Sequence, residues 1–265
     1  MKHLLKQLCI LLMLILLVLP VQAKQKNTVF AQVTDLHFDA SENSISNYKN
    51  LIHSINNDKQ IKFVVFTGDN IDKPSPDLLK VFLKIANRIK VPYYIQIGDA
   101  ECFKSVGLSK KVYMKYVNRY SSQHLKSFNY VVKKDNIIFI LVDGTKEVIP
   151  SPNGYYKDET LNWLDKQLTK YEKENVVILQ HYPISDVSEN SLQNLYKPQL
   201  YKDVIAKHKN IVAVFAGHYH INREELIDNV LYLTTDAARG GTYRKIFLTP
   251  VENNKIEVYS QNINF

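Results

Sequence analysis

The sequence predicts a single α/β domain containing two packed sheets, and three observations point to it. Short runs rich in Val, Ile, Phe and Tyr recur along the chain with helical patterns between them. The runs are apolar throughout rather than alternating, as in strands covered on both faces. Near the end the rhythm changes to strands alone. At 265 residues, 45% of them hydrophobic and 23% charged, the chain can bury a substantial core, which excludes disordered and collagen-like classes. This length also suits one α/β domain.

The first 23 residues read as a leader rather than as part of the fold. Lys2, His3 and Lys6 make a basic start, Leu8 to Leu19 is unbroken apolar sequence, and Pro20 precedes Val21-Gln22-Ala23. The run is too short for a membrane span of ~20 residues but suits a signal-peptide core. Residues 1–23 are therefore expected to be removed, with an uncleaved anchor as the alternative. The domain would then be residues 24–265, exported to the periplasm or the medium, with no transmembrane segment after cleavage. Cys9 would leave with the leader, so Cys102 would remain as a lone buried thiol and no intramolecular disulfide could form.

Strands are expected at 28–34, 61–67, 91–98, 136–142, 176–181 and 211–216, followed by 230–234, 243–248 and 255–259. A helix over 76–88 has Ser75 as N-cap and Pro76 in its first turn, with Leu78, Leu79, Phe82, Leu83 and Ile85 on one side. A second helix covers 158–172, with Leu161, Trp163, Leu164 and Leu168 apolar. Residues 149–154, Ile-Pro-Ser-Pro-Asn-Gly, read as a surface loop. The formal charge is +8, or +6 once Lys2 and Lys6 are removed. Because the lysines are scattered rather than clustered, this balance argues against a nucleic-acid partner.

The chemistry gathers where the strands end. The first runs into Asp35-Leu36-His37, the second into Gly68-Asp69-Asn70, and the third into Gly98-Asp99-Ala100-Glu101. Gln180-His181-Tyr182-Pro183 and Gly217-His218-Tyr219-His220 follow later strands. Ligands collect at such ends because loops converge there on a rigid sheet. Asp35, Asp69, Asp99, His37, His181, His218 and His220 would thus form one cluster of carboxylates and imidazoles. That mixture suits Mn, Fe or Zn better than Ca²⁺ or Mg²⁺. Seven ligands exceed the needs of one tetrahedral ion, so two divalent or trivalent ions sharing a carboxylate are expected. Neither a Gly-x-Ser-x-Gly turn nor a phosphate-cradling Gly-x-x-x-x-Gly-Lys loop is present, which disfavours serine hydrolases and P-loop enzymes.

This ordered set resembles the calcineurin-like metallophosphoesterase superfamily, whose pattern is Asp-x-His, Gly-Asp, Gly-Asn-His-Asp/Glu, His and Gly-His-x-His. The likeness runs from about residue 28 to 250. Gln32-Val-Thr-Asp-Leu-His37 and Thr67-Gly-Asp-Asn-Ile-Asp72 look most like the cyclic-nucleotide phosphodiesterase-like branch. Purple acid phosphatases carry a ligand Tyr where Asp72 stands. The resemblance implies a four-layer αββα sandwich of two mixed sheets flanked by helices. It further implies that Asp35, His37 and His220 hold one ion, that Asp69 bridges, and that His181, His218 and a third-motif residue hold the second. A hydroxide between the ions would attack the phosphorus of a small phosphorylated substrate, a phosphodiester or a phosphomonoester.

The third motif departs from this pattern, with Asp99 and Ala100 where the family has Asn and His. Asp99 could still be an oxygen ligand, leaving the centre one unit less positive. Ala100 removes the expected proton donor, a role typically worth 10²–10⁴ in rate. Glu101 could stand in if its loop turns it inward; otherwise it is the variable acidic residue that ends the motif. Asn70 could touch substrate or shape its turn, and Arg239 could bind phosphate or belong to a surface turn. Tyr155 and Tyr156 could stack on a base or sugar or serve in packing. The alternative to a phosphoesterase is a degenerate member that binds metal and a phosphorylated ligand with little or no turnover.

Overall fold

The computed structural model describes residues 27–189 and 191–265, so the expected leader lies outside the described residues. In chain order the elements are β1 (Thr28–Val33), α1 (Glu42–Asn57), β2 (Phe63–Thr67), α2 (Pro76–Ala86), β3 (Tyr93–Gln96) and α3 (Lys110–Tyr120). There follow β4 (Tyr130–Lys134), β5 (Ile137–Val142), α4 (Asp158–Lys170), β6 (Asn175–Gln180), α5 (Pro198–Ile205) and β7 (Ile211–Ala216). The chain ends with β8 (Arg223–Ile227), β9 (Val230–Thr234), β10 (Thr242–Pro250) and β11 (Ile256–Asn264). One sheet has the order β11-β10-β1-β2-β3, the other β4-β5-β6-β7-β9-β8.

The centre of each sheet is parallel: β1 with β2 and β2 with β3, and likewise β5, β6, β7 and β9 in turn. Antiparallel strands complete three of the four edges, at β11, β4 and β8, while β3 is a parallel edge. Unbroken apolar runs follow from this, because successive residues of a strand face opposite sides and both sides are covered. In β5, Ile137, Phe139 and Leu141 join Phe30, Phe63 and Phe215 in the layer between the sheets. Ile138, Ile140 and Val142 face outward with Leu161, Leu164 and Tyr201 from α4 and α5. On the other sheet Val64 and Phe66 face Tyr48, Leu51, Leu79 and Phe82 of α1 and α2. The result is the expected αββα sandwich.

The helix starts follow local chemistry. The Ser75 side chain accepts from Leu78 N at the head of α2, with Pro76 in its first turn, and Ser41 and Ser109 cap α1 and α3 in the same way. Three helices and two strands went unmarked by sequence periodicity. In α1 only Tyr48, Leu51, Ile52 and Ile55 are buried among many Asn and Ser, so packing rather than propensity holds it helical. Strand β8 is a half-exposed edge, Arg-Glu-Glu-Leu-Ile, with no apolar run to read.

A polar layer closes the sandwich beneath the strand ends. Gln32 of β1 donates to Thr67 Oγ1 at 3.1 Å and, across to the other sheet, to Ala216 O at 3.0 Å; it accepts from Thr235 Oγ1 at 2.7 Å. These bonds fix the two sheets against each other just below the loops that carry the Asp and His side chains.

Candidate metal centre

The loops leave the strands through sharp turns. Asp35, His37, Asp69, His218 and His220 all have left-handed backbones, with φ of 53°, 45°, 50°, 71° and 52°. Such conformations cost of order 1–3 kcal/mol each in a non-glycine residue and persist only where surrounding contacts over-determine them. Here those contacts are main-chain bonds: Asp35 N to Gly68 O at 3.0 Å, His37 N to Asp69 O at 2.9 Å, and Gly217 N to His181 O at 3.0 Å. Gly68, at φ 106°, also gives room, since a Cβ there would lie 2.5 Å from His181 Nδ1. At Gly217 a Cβ would overlap Thr34 Oγ1 and Asp35 Oδ2.

All seven residues expected as ligands come together, in two groups. Asp69, Asp99, His181 and His218 form one, and Asp35, His37 and His220 the other, with donor atoms in each group within 4.8 Å of one another. In the first group His181 Nε2 lies 3.2 Å from Asp99 Oδ1, and His218 Nδ1 lies 3.1 Å from the same oxygen. In the second, His220 Nε2 lies 3.3 Å from both Asp35 Oδ1 and His37 Nε2. Asp69 stands between them, with Oδ1 3.6 Å from His181 Nε2 and Oδ2 3.6 Å from His37 Nε2.

The donor set fits metal ions. Asp35 Oδ1 is buried without a hydrogen-bond partner, while Oδ2 accepts from Thr34 Oγ1 at 2.6 Å and His218 N at 2.9 Å. The free oxygen is the one facing His220. Two imidazoles have the nitrogen away from the cluster hydrogen-bonded to a carbonyl, His181 Nδ1 with Thr67 O at 3.0 Å and His218 Nε2 with Gln193 O at 3.1 Å, while His37 Nδ1 lies 3.4 Å from Asp72 Oδ1 without a hydrogen bond. Such carbonyl partners fix the tautomer that offers the other nitrogen to an ion.

The electrostatics have the same character. Burial works to lower the His181 pKa, but the carboxylates of Asp69, Asp35 and Asp99 outweigh it and push it up to about 10. Burial works to raise Asp35, and His181 and His220 outweigh that, holding it at about 2. Asp99 is held below the usual carboxylate range because His181 and His218 overcome its desolvation. Burial raises Asp69, and the neighbouring carboxylates add to the rise. Without a metal, one buried imidazolium balances several carboxylates; a divalent ion would take over that task and displace the proton.

The remaining residues singled out by sequence divide between the alternatives weighed for them. Glu101 does turn inward, but its carboxylate is fully buried and accepts five hydrogen bonds. These come from Asp69 N and Asn70 N at 3.1 Å, and from Gly98 N, Asn70 Nδ2 and Tyr113 Oη at 2.7 Å. Burial pushes its pKa up to about 7. An oxygen engaged in this way cannot reach a leaving group, so the stand-in acid is corrected to a clamp beneath the Asp69 and Gly98 turns. Asn70 is likewise buried; its amide donates to Gln96 O at 2.9 Å, and it shapes the turn rather than touching substrate. Tyr156 is buried in the core, and Tyr155 packs edge-on against Tyr196. Cys102 is buried and free.

Arg239 is exposed at the centre's rim, with Nη2 3.3 Å from His220 Nδ1 and its main-chain N donating to Asp35 O at 3.2 Å. Sequence reasoning missed the groups that stand behind the imidazoles. Asp72 beside His37 sits three residues after Asp69, a spacing that could have marked it. The Gln193 carbonyl is main chain and carries no signature.

Comparison with known proteins agrees with this arrangement. A probable glycerophosphodiester phosphodiesterase of Arcobacter nitrofigilis is 26% identical over 217 residues, covering 78% of this chain and 77% of that protein. A 3′,5′-cyclic-nucleotide phosphodiesterase of Nostoc sp. is 25% identical over 213 residues, covering 77% and 75%. The crystal structure of a dimetal phosphatase from Danio rerio superposes with a TM-score of 0.63 at 13% identity, covering 89% of this chain and 98% of that one, and so shares the fold. Residues 28–222, most of the described chain, match the family described as calcineurin-like phosphoesterase. With its strand-end Asp and His residues gathered into two adjoining groups, the chain belongs to the calcineurin-like phosphoesterase family.

Proposed function

We propose that this protein is an exported, dinuclear metal-dependent hydrolase of a phosphodiester or phosphomonoester of a small alcohol. The observation that carries the reading is Asp69, whose two oxygens face the two ligand groups at equal distances of 3.6 Å. Asp35, His37 and His220 would hold one ion and Asp99, His181 and His218 the other, with Asp69 shared. When bound, such a pair supplies a nucleophile from water near neutral pH and charge for the phosphate oxygens. Arg239 would bind a phosphate oxygen; it has no carboxylate partner among the described residues, so its charge is available to an anion. The two relatives' names favour a diester. Export rests on the basic start and apolar run of residues 1–23, and mass spectrometry of the secreted or periplasmic chain, beginning at Lys24, is its test.

A second reading, metal and ligand binding with little turnover, is favoured by one observation. Ala100 carries no proton and the Glu101 oxygens are spent, so no side chain of the third motif can protonate a departing alkoxide. Aryl esters, whose leaving groups scarcely need that proton, separate the two. Hydrolysis of bis-p-nitrophenyl phosphate by the Mn²⁺-loaded protein, abolished in Asp69→Asn, is the expected result. No turnover on aryl esters would leave only the binding role. In an active enzyme, Ala100→His should raise alkyl-ester turnover more than aryl-ester turnover.

A further inference from the structure

The hydrolase reading leaves the alcohol unspecified, and a cavity beside the centre bears on it. We infer that this cavity binds a small polyhydroxylated alcohol esterified to the phosphate, a deepening that rests on the proposed function. The cavity has a volume of about 430 Å³ and opens next to His37, between the start of α1 and the Arg239 turn. Asp39, Asn43, Ser44, Asn47, Asp72 and Arg239 supply its polar wall.

Three features select the ligand. The wall mixes acceptors (the Asp39 and Asp72 carboxylates) with donors and dual groups (Asn43, Asn47, Ser44), and hydroxyls both give and accept hydrogen bonds. The one aliphatic lining residue, Leu36, is itself buried, and no Phe, Tyr or Trp lines the space, so the only planar groups open to a nucleobase are His37 and Arg239, both already engaged at the centre. Arg239 and the N-terminal turn of α1 offset the two carboxylates, so hydrogen bonding rather than net charge does the selecting.

The cavity is also preformed. Asn47 Nδ2 donates to Ala238 O at 3.2 Å, tying α1 to the Arg239 turn, and Asp72 N donates to Phe38 O at 3.1 Å, tying the opposite lip together. Asp39 Oδ1 accepts from Ser41 N at 2.9 Å, which fixes that carboxylate. The Asn43 amide makes no hydrogen bond to another described residue and is exposed to the space.

The test compares binding of glycerol 3-phosphate with that of n-propyl phosphate, its analogue lacking two hydroxyls, to the Mn²⁺-loaded protein by titration calorimetry. Two satisfied hydroxyls should favour glycerol 3-phosphate about tenfold. Asn43→Ala, on the exposed surface of α1, and Asp39→Asn, which keeps the bond to Ser41 N, should each reduce that ratio several-fold. A wild-type ratio near one, a ratio unmoved in both variants, or tighter binding of thymidine 5′-phosphate than of glycerol 3-phosphate would overturn the inference. Binding is read without turnover, so failure to hydrolyse bis-p-nitrophenyl phosphate would sink the hydrolase reading while leaving this ratio to be judged separately.

Discussion

Five hydrogen bonds converge on the Glu101 carboxylate, and they define what the third motif does. Two of the donors are the main-chain N–H groups of Asp69 and Asn70, so the left-handed turn that aims the Asp69 carboxylate is held from behind by this one side chain. Glu101→Gln keeps the shape but turns an N–H₂ toward groups that themselves donate. It should cost about 2 kcal/mol of stability, measured by urea unfolding, and weaken Mn²⁺ binding. A clamp predicts equal losses on aryl and alkyl esters, whereas an acid would lose alkyl-ester turnover selectively. Equal losses beside a selective gain in Ala100→His would assign positioning to Glu101 and the missing proton to position 100. The same contrast explains why sequence could not decide the matter: an acidic residue two places after Asp99 reads alike whether it faces solvent or the protein interior.

At the scale of elements, the site is a consequence of parallel strands ending together. The seven candidate ligands were legible because each follows a short apolar run, and runs with both faces buried are unmistakable; the bounds expected for β7 and β9 agree with the structure to the residue. Helix α2 was legible from Ser75 and Pro76. Helix α1 was not, since its polar sequence becomes helical only against β2 and α2, and β8 was not, since an exposed edge has no apolar period. The ties between sheets were also hidden. Arg244 of β10 is buried and donates to Thr235 Oγ1 at 2.9 Å, Ser260 Oγ at 2.7 Å and Thr234 O at 3.1 Å, and pairs with Glu224 of β8. It thus joins the edge of one sheet to the edge of the other. Arg244→Ala should destabilise by about 2–3 kcal/mol, because it leaves the buried Thr235 Oγ1 and Thr234 O without this donor, while the half-exposed Glu224 can turn to water. A shift in the urea midpoint corresponding to less than 1 kcal/mol would show that the sheets are held chiefly by the aromatic layer around Phe30, Phe63 and Phe139.

At the scale of the molecule, the sandwich is rigid where the strand ends meet and charged around its rim. Lys245, nearly buried on β10, pairs with Asp58 at the end of α1 and donates to Gln60 Oε1 at 2.7 Å. Burial works to raise the Asp58 pKa, and the Lys245 ammonium overcomes it, so the folded value lies below the ordinary 3.8. The folded state therefore binds this proton less readily than the unfolded chain. The stabilisation is complete above about pH 4 and is lost as pH falls through the folded value. Acid unfolding of Asp58→Asn should accordingly be shallower than that of wild type over this range, and identical profiles would remove the pair from the account. The central claim is that one carboxylate joins two metal sites. Electron paramagnetic resonance of the Mn²⁺-loaded protein, with metal content measured on the same sample, tests it most directly. Two ions per chain with an exchange-coupled signal that disappears in Asp69→Asn is the result expected. One ion per chain, or two with the spectrum of isolated Mn²⁺, would contradict it.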